Sequence, residues 1–192
     1  MKSAGRKLLF YGLVALLNIA IVGMFSVVSL QSFRPSSGDS APILIRANPQ
    51  PAPKIGTPTR IIVPSVGIDL GILLGTFNPS DGSWTLDQDH AFYADASVPS
   101  NDSNGNTVIY GHAQAQIFAR LSSIPVDAKA YIYTDSGLLF IYAYQSKTDV
   151  VPTDTSVFDV TGPPTLVLQT CTGPWDVYRA LYSFNLEVVA TI

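Results

Sequence analysis

The sequence predicts a mostly β domain of roughly 130 residues that closes, or nearly closes, into an antiparallel barrel. Three observations support this prediction. Short runs of β-branched and aromatic residues recur along the chain, turn signals separate them, and only one segment has the periodicity of a short helix. Residues 1–57 differ in composition and are expected to lie outside this barrel.

Residues 8–30 form an apolar run in which Asn18 is the only strongly polar side chain. At roughly 1.5 Å per residue, such a helix crosses a hydrocarbon core of roughly 30 Å. Three basic residues lie within residues 1–7, so the positive-inside bias predicts a cytoplasmic tail there and an outside location for the rest. A cleaved signal peptide is the alternative, but its apolar region is usually shorter.

Residues 31–57 are rich in Ser, Pro and Gly, and this composition is typical of an extended linker between the span and a domain at residues 58–192. The chain beyond the tail carries eight Lys and Arg against 14 Asp and Glu. A net-acidic domain without a basic cluster is a poor candidate for nucleic-acid binding.

The predicted strands follow one another with short connections, at residues 60–63, 68–74, 107–110, 130–134, 138–145, 165–170 and 177–189. Residues 135–137, Asp-Ser-Gly, predict a hairpin turn between the fourth and fifth of these strands. The predicted helix is residues 114–121, with Ile117, Phe118 and Leu121 on one face.

The last predicted strand indicates which residues face the core. Strand alternation places Tyr178, Ala180, Tyr182, Phe184, Leu186 and Val188 on the core side. Arg179 therefore projects from the opposite, more polar side, near the start of the strand. If this strand pairs as a hairpin with residues 165–170, Arg179 and Cys171 lie close together at one end.

Cys171 is the only cysteine of the chain, and turn residues follow it directly. A lone cysteine cannot form an intrachain disulfide, nor can it assemble a structural zinc site by itself. Because the thiolate is the reactive form, a catalytic cysteine needs a positive neighbour or a base. The alternative is a buried cysteine that packs as a small hydrophobic residue.

His112 and Arg179 are the candidate partners of such a cysteine. His112 follows the predicted strand 107–110, where it can protonate a leaving amine and later activate an incoming one. Arg179 keeps its charge at ordinary pH and suits a substrate carbonyl or an oxyanion. A strand-end histidine and a solvated arginine are the structural alternatives, and composition and periodicity leave both interpretations open.

Three segments resemble motifs of the sortase family, the membrane-anchored cysteine transpeptidases of bacterial surfaces. Residues 59–69, TRIIVPSVGID, are similar to the opening strand of that family. Residues 105–112, GNTVIYGH, resemble its histidine motif. Residues 165–171, TLVLQTC, resemble its cysteine motif, and Arg179 follows them in the order that the family has.

This resemblance implies a sortase-like closed antiparallel or mixed barrel of about eight strands with one or two short helices, preceded by the transmembrane helix. It implies that Cys171, His112 and Arg179 lie at one end of a peptide groove, and that Thr170 binds substrate. The implied location is the cell membrane, with one span in the lipid, a cytoplasmic N-terminus and an extracellular catalytic domain.

The resemblance also implies a reaction. Cys171 cleaves an LPXTG-like sorting signal of a secreted protein at Thr–Gly and forms a thioester, which an amine acceptor resolves. The acceptor is a cell-wall precursor or a pilin lysine. His112 acts as acid and then as base, Arg179 holds the oxyanion, and the chemistry requires no metal or organic cofactor.

Other classes of protein fit the sequence less well. The segment QTCTG around Cys171 superficially resembles the caspase signature, but caspase-like domains alternate strands with long helices. L,D-transpeptidases have a glycine directly before the cysteine, where this chain has Thr170. The non-enzymatic alternative is a membrane-tethered β-barrel that binds peptide or carbohydrate, with Cys171 merely packed.

Overall fold

Eight strands close into a barrel in the computed structural model, which describes residues 51–192. The strands of this part of the chain are β1 (Ile55–Gly56), β2 (Pro58–Val63), β3 (Ile68–Gly75), β4 (Phe77–Asn78), β5 (Ser83–Trp84), β6 (Ala91–Ala94), β7 (Ser100–Asn101), β8 (Asn106–Tyr110), β9 (Lys129–Thr134), β10 (Leu138–Val150), β11 (Thr165–Thr172) and β12 (Tyr178–Thr191). Short 3-10 helices lie at Pro64–Val66, Ala119–Ser123, Ser156–Phe158 and Pro174–Asp176. The predicted mostly β barrel with few helices is confirmed.

The barrel strands follow the order β10-β12-β11-β8-β6-β3-β2-β9, and β9 closes the ring by pairing with β10. The remaining strands form two small pairs, β1 with β7 and β4 with β5.

The predicted membrane span at residues 8–30 lies outside the described residues. Within residues 51–192, no helix has the length and the apolar character needed to cross a membrane.

Two neighbouring pairs in the barrel run parallel, so the sheet is mixed rather than purely antiparallel. β3 pairs with β6 in this way, and β8 pairs with β11. Parallel neighbours cannot be joined by a tight hairpin, so the chain needs a longer crossover between them. The crossover from β3 to β6 is residues 76–90, and it carries the small hairpin of β4 and β5.

Two apolar clusters pack on opposite faces of the same strands. The larger cluster fills the barrel, and its biggest fully buried side chains are Tyr142, Phe118, Phe140, Phe184, Ile61 and Ile109. The smaller cluster lies outside the barrel wall and contains Phe92, Ala94, Val108, Tyr110, Val157 and Val167. Strands β6, β8 and β11 are therefore covered on both faces over much of their length.

Strand β6 is the barrel strand that the sequence pattern did not predict. All four of its residues are buried, because Tyr93 faces the barrel core while Phe92 faces the outer cluster. A strand buried on both faces shows no alternation of polar and apolar residues, and a run this short does not stand out.

The helix predicted at residues 114–121 is not an α-helix. Turns lead instead into a 3-10 helix at Ala119–Ser123, in which hydrogen bonds reach three residues back. The predicted buried face is confirmed, since Ile117, Phe118 and Leu121 are 0% exposed and belong to the barrel core.

The predicted hairpin turn and most of the predicted faces of the last strand are confirmed. β9 and β10 pair antiparallel across residues 135–137, where Gly137 has the left-handed φ of 70°. In β12, Ala180, Tyr182 and Phe184 are buried, as predicted. Tyr178 is 44% exposed because it borders the turn before the strand.

A β-bulge corrects the prediction for the end of β12. Consecutive residues of β10 pair with Val188 and Leu186, so Glu187 is an extra residue in the ladder. An extra residue reverses the facing of everything beyond it. Val189 therefore packs against the core, whereas Val188, which the alternation had placed inside, is 48% exposed.

The segment before the first barrel strand, residues 54–57, is bonded to the loops at the end of the barrel where β8 begins. Lys54 N donates to Asp102 Oδ1 at 3.0 Å, and Thr57 N donates to Asp135 Oδ1 at 2.8 Å. Between these bonds, β1 pairs with β7. The last residues of the predicted linker thus take part in the folded structure.

We expect Gly56→Ala to lower the thermal stability. A Cβ at Gly56 would stand 2.6 Å from Thr134 Cβ, which is closer than non-bonded carbons approach each other. Overpacking of this kind costs about 1–3 kcal/mol, and thermal unfolding of the full-length chain in mild detergent measures it. Gly71→Ala is the matched control, because its Cβ would meet His90 Cδ2 at an ordinary 3.8 Å. Equal melting temperatures for the two variants would contradict the packing at β1.

Candidate active site

Cys171 lies one residue before the end of β11 and faces the outside of the barrel wall. Leu166 and Leu168 of the same strand point into the barrel core, so alternation turns Gln169 and Cys171 outward. The side chain of Cys171 is half-buried. Its sulfur is therefore placed at the wall of the barrel rather than within its interior.

Arg179 is the direct cross-strand neighbour of Cys171. The two residues are Cα partners in the antiparallel register of β11 and β12, and Cβ atoms in such pairs lie about 5 Å apart. Arg179 also faces outward, because the next residue, Ala180, is buried in the core. The predicted hairpin between these strands is confirmed, and it brings the thiol and the guanidinium to the same face.

His112 reaches the same place through the parallel pairing of β8 with β11. Tyr110 is aligned with Gln169, and Gly111 N extends the pairing by donating to Gln169 O at 3.1 Å. His112 and Cys171 each stand two residues beyond the aligned pair. They therefore follow neighbouring strands side by side, at the same end of the barrel, and His112 is half-buried there.

The buried hydroxyl of Thr170 joins the two segments that carry Cys171 and His112. Thr170 is 5% exposed, and its Oγ1 donates to Gly111 O at 2.8 Å. Because Thr170 precedes the cysteine and Gly111 precedes the histidine, this bond helps to fix the spacing of the two side chains. The bond supports a positioning role, and the predicted contact of Thr170 with substrate stays a prediction.

One cavity of about 270 Å³ is lined by all four predicted site residues, His112, Thr170, Cys171 and Arg179. Its floor is the outer face of β8 and β11, and its other walls come from the crossover 76–90 and from the connection between β10 and β11. Among residues 51–192, no three His, Cys, Asp or Glu side chains come together in a way that would hold a metal ion.

Within the described part of the chain, Arg179 is the one permanently charged side chain that lines this cavity. Its Nη1 donates to Asp176 O at 3.0 Å and to Tyr178 O at 3.1 Å. Asp176 and Trp175 both have left-handed backbone, with φ of 58° and 60°, so the first bond braces a strained turn. Both bonds use Nη1, and Nε and Nη2 remain as donors toward a ligand.

Three aromatic side chains that the sequence analysis did not single out also line the cavity. Trp84 of β5 stacks on Phe158 with ring centroids 5.6 Å apart and an interplanar angle of 18°. It meets Tyr110 edge-on with centroids 5.3 Å apart. The available signal was a tryptophan directly after the turn-forming residues 79–83, PSDGS, where no long strand or helix was predicted to bury it.

Tyr110 fixes the hairpin of Trp84 to the barrel wall. Its hydroxyl donates to Thr85 O at 2.8 Å. Burial raises the pKa of Tyr110, and the nearby charge of Asp95 adds to the shift, so the hydroxyl stays protonated and keeps donating. Gly75 lies against the Tyr110 ring so closely that any side chain there would collide with it.

Cys171, His112 and Arg179 thus line one cavity on the wall of a closed β-barrel. The sequence of residues 61–192 matches the family model of the Sortase domain. The chain therefore belongs to the sortase family, whose members are cysteine transpeptidases.

Solved structures of sortases share the fold. Sortase A of Listeria monocytogenes is 23% identical with a TM-score of 0.57, over 72% of this chain and 92% of its own. Sortase C2 of Group B Streptococcus Pilus Island 1 is 18% identical with a TM-score of 0.54, and the match covers 67% of this chain and 73% of that sortase. Sortase C of Streptococcus pneumoniae is 20% identical with a TM-score of 0.56, and the match covers 72% of this chain and 71% of that sortase. Comparison with curated proteins finds no match.

We expect Thr170→Val to lower kcat/KM for Cys171-dependent peptide cleavage about tenfold or more. Valine keeps the shape of threonine but leaves Gly111 O buried without its donor, a loss of about 1–3 kcal/mol. Thr170→Ser restores the donor and should retain most of the activity. Full activity of the valine variant, with an unchanged melting temperature, would contradict the positioning role of this bond.

Proposed function

We propose that this chain is a transpeptidase that cleaves an LPXTG-like sorting signal on secreted proteins and transfers them to an amine at the cell surface. The observation that carries the proposal is the convergence of Cys171, Arg179 and His112 on one cavity through the pairing of β12, β11 and β8. A nucleophile, an acid and base, and a fixed cation are the groups that acyl transfer from a peptide requires.

In the first half of the reaction, the Cys171 thiolate attacks the carbonyl carbon of the Thr–Gly bond. The carbonyl oxygen becomes an oxyanion, which the remaining donors of Arg179 stabilise. When the tetrahedral intermediate collapses, the C–N bond breaks and His112 gives a proton to the leaving glycine amine. The products are a thioester on Cys171 and the free C-terminal fragment.

In the second half, an amine of the acceptor attacks the thioester. His112 takes the proton that the amine loses, Arg179 again faces the oxyanion, and collapse releases the Cys171 thiolate and forms a new amide bond. The proposed acceptor is a cell-wall precursor or a lysine of a pilin subunit.

The proposed location is the cell membrane. Sortases are generally cell-surface enzymes, and a span at residues 8–30 would hold the catalytic domain outside the cell. In that position the enzyme, its secreted substrate and a lipid-linked acceptor meet at one membrane face. The excess of acidic over basic residues agrees with partners other than nucleic acid.

Detection of the thioester on Cys171 tests this function. The full-length chain in mild detergent is incubated with an LPXTG-like peptide and analysed by intact mass spectrometry. We expect an acyl adduct on Cys171 that hydroxylamine releases as the peptide hydroxamate, and neither product with Cys171→Ala. Undiminished cleavage by Cys171→Ala would overturn the proposal. Bound but uncleaved peptide with both proteins would favour the non-catalytic binding module instead.

We expect Arg179→Lys to lose most of the transpeptidation activity, by a hundredfold or more in kcat. A lysine keeps the charge but lacks the planar fork that can brace the turn and face an oxyanion at the same time, and removal of one oxyanion donor costs roughly 10²–10³ in kcat. Arg60→Lys is the matched control, because Arg60 pairs with Asp69 on the opposite wall of the barrel. Equal rates for both variants would remove Arg179 from the mechanism.

A further inference from the structure

Resting on the proposed function and its membrane location, we infer that the turn between β11 and β12 enters the surface of the lipid bilayer. Trp175, in this turn, inserts among the lipid headgroups. This contact brings the end of the barrel that carries Cys171 to the membrane. The partner of the turn is the bilayer itself, and the contact is separate from the cavity.

Four exposed apolar side chains lie together at the end of the barrel that carries Cys171. We call them the apolar rim: Val151, Trp175, Val177 and Tyr178. Trp175 is 95% exposed, and the other three are about half exposed. Val151 belongs to this group because Val150 pairs with Arg179, so the next residue of the chain stands beside Tyr178. The lining of the cavity, within the part of the chain that the structure describes, contains none of the four.

The backbone of the turn holds Trp175 outward. Trp175 and Asp176 have φ of 60° and 58°, a left-handed conformation that residues other than glycine rarely adopt. Hydrogen bonds keep this shape, since Asp176 N donates to Gly173 O at 3.2 Å and Arg179 Nη1 donates to Asp176 O at 3.0 Å. An unfavourable backbone conformation that presents an indole ring to solvent indicates a contact that the barrel itself does not supply.

The chemistry of the rim favours a bilayer surface. Tryptophan and tyrosine concentrate at membrane–water interfaces, because their rings are apolar while the N–H or O–H group can bond to headgroups and water. Asp176, next to Trp175, is also exposed, and its carboxylate can stay in the hydrated headgroup layer. The rim therefore has the amphipathic character of an interfacial segment.

The opposite end of the barrel is less suited to this contact. It also exposes apolar side chains, Ile55 and Ile192, but both are aliphatic. The carboxylate of Asp102 lies at that end, where it accepts a hydrogen bond from Lys54 N at 3.0 Å. The exposed aromatic rings of the rim thus distinguish the end that carries Cys171.

The proposed span at residues 8–30 makes a weak contact sufficient. A domain tethered to a bilayer meets its surface intramolecularly, at an effective concentration that can reach the millimolar range. Residues 31–53 can extend to at most about 80 Å. Strand β12, with 14 residues, is about 46 Å long at about 3.3 Å per residue. The tether can therefore reach past the whole barrel, although residues 54–57 are bonded to its other end.

The test uses the two tryptophans of the chain as separate probes. The full-length chain is reconstituted in phosphatidylcholine vesicles, with and without bromine on the upper part of the acyl chains. Bromine quenches an indole ring that reaches the acyl boundary. Trp84→Phe leaves Trp175 as the one emitter. Trp175→Phe is the matched control, because it leaves Trp84, which is half-buried and stacked on Phe158.

We expect brominated lipid to remove at least half of the Trp175 emission and to leave the Trp84 emission nearly unchanged. Anionic phosphatidylglycerol or high salt should change this quenching little, because the contact is made by the apolar rim and not by a basic patch. If Trp84→Phe does not fold, the difference in quenching between wild type and Trp175→Phe gives the contribution of Trp175.

Trp175 emission that brominated lipid leaves unchanged, in a chain that floats with the vesicles, would overturn the inference and leave the proposed function standing. Emission that a sorting-signal peptide shifts but lipid does not would assign the turn to the substrate and also overturn the inference. A chain that does not float with the vesicles would overturn the proposed membrane location, and this inference with it.

Discussion

The register of three neighbouring strands is the constraint on which the site depends. β12 pairs with β11 so that Arg179 stands opposite Cys171, and β11 pairs with β8 so that His112 leaves the sheet beside them. A slip of one residue in β11 would turn the thiol into the barrel and bring Thr170 out. The buried leucines of β11 oppose such a slip, because it would expose Leu166 and Leu168 and leave the core unfilled.

The walls of the cavity are a consequence of the two parallel strand pairs in the barrel. A parallel neighbour requires a long connection, and the connection from β3 to β6 carries Trp84 across the outer face of the wall. The connection before β11 brings Phe158 to meet it. The strands of the floor carry Cys171, His112 and Arg179, whereas the crossover segments make the walls. The proposed chemistry therefore lies on the strands of the barrel, and the shape of the cavity depends on the connections.

Local patterns in the sequence were sufficient for part of this arrangement. Period-two alternation predicted the outward facing of Arg179, and the short interval between strands predicted its closeness to Cys171, because a hairpin is a local structure. The position of His112 at the end of a predicted strand, together with the family resemblance, predicted that it belongs to the same site. The parallel partnership of β8 and β11 joins residues far apart in sequence, and no local pattern encodes it.

Other features could not be predicted from the sequence, because they depend on contacts between segments that are far apart in the chain. β6 is buried on both faces and shows no alternation, and the bulge at Glu187 reverses the facing of residues beyond it without a mark in the local pattern. The bond from Thr170 to Gly111 depends on the pairing of distant strands. Trp84 became a site residue only once the crossover folded back onto Tyr110.

The proposed mechanism requires the imidazole of His112 to act on the thiol of Cys171, although 58 residues separate them in the chain. The rate at which a peptidyl vinyl sulfone alkylates Cys171 in the full-length protein measures this contact directly. The proposed mechanism predicts that His112→Ala slows labelling at least tenfold, because the variant lacks the base that the mechanism requires beside the thiol. It also predicts that His90→Ala, which changes the other histidine of the chain, labels at the wild-type rate. Equal labelling of both variants and wild type would contradict the proposed action of His112 on Cys171.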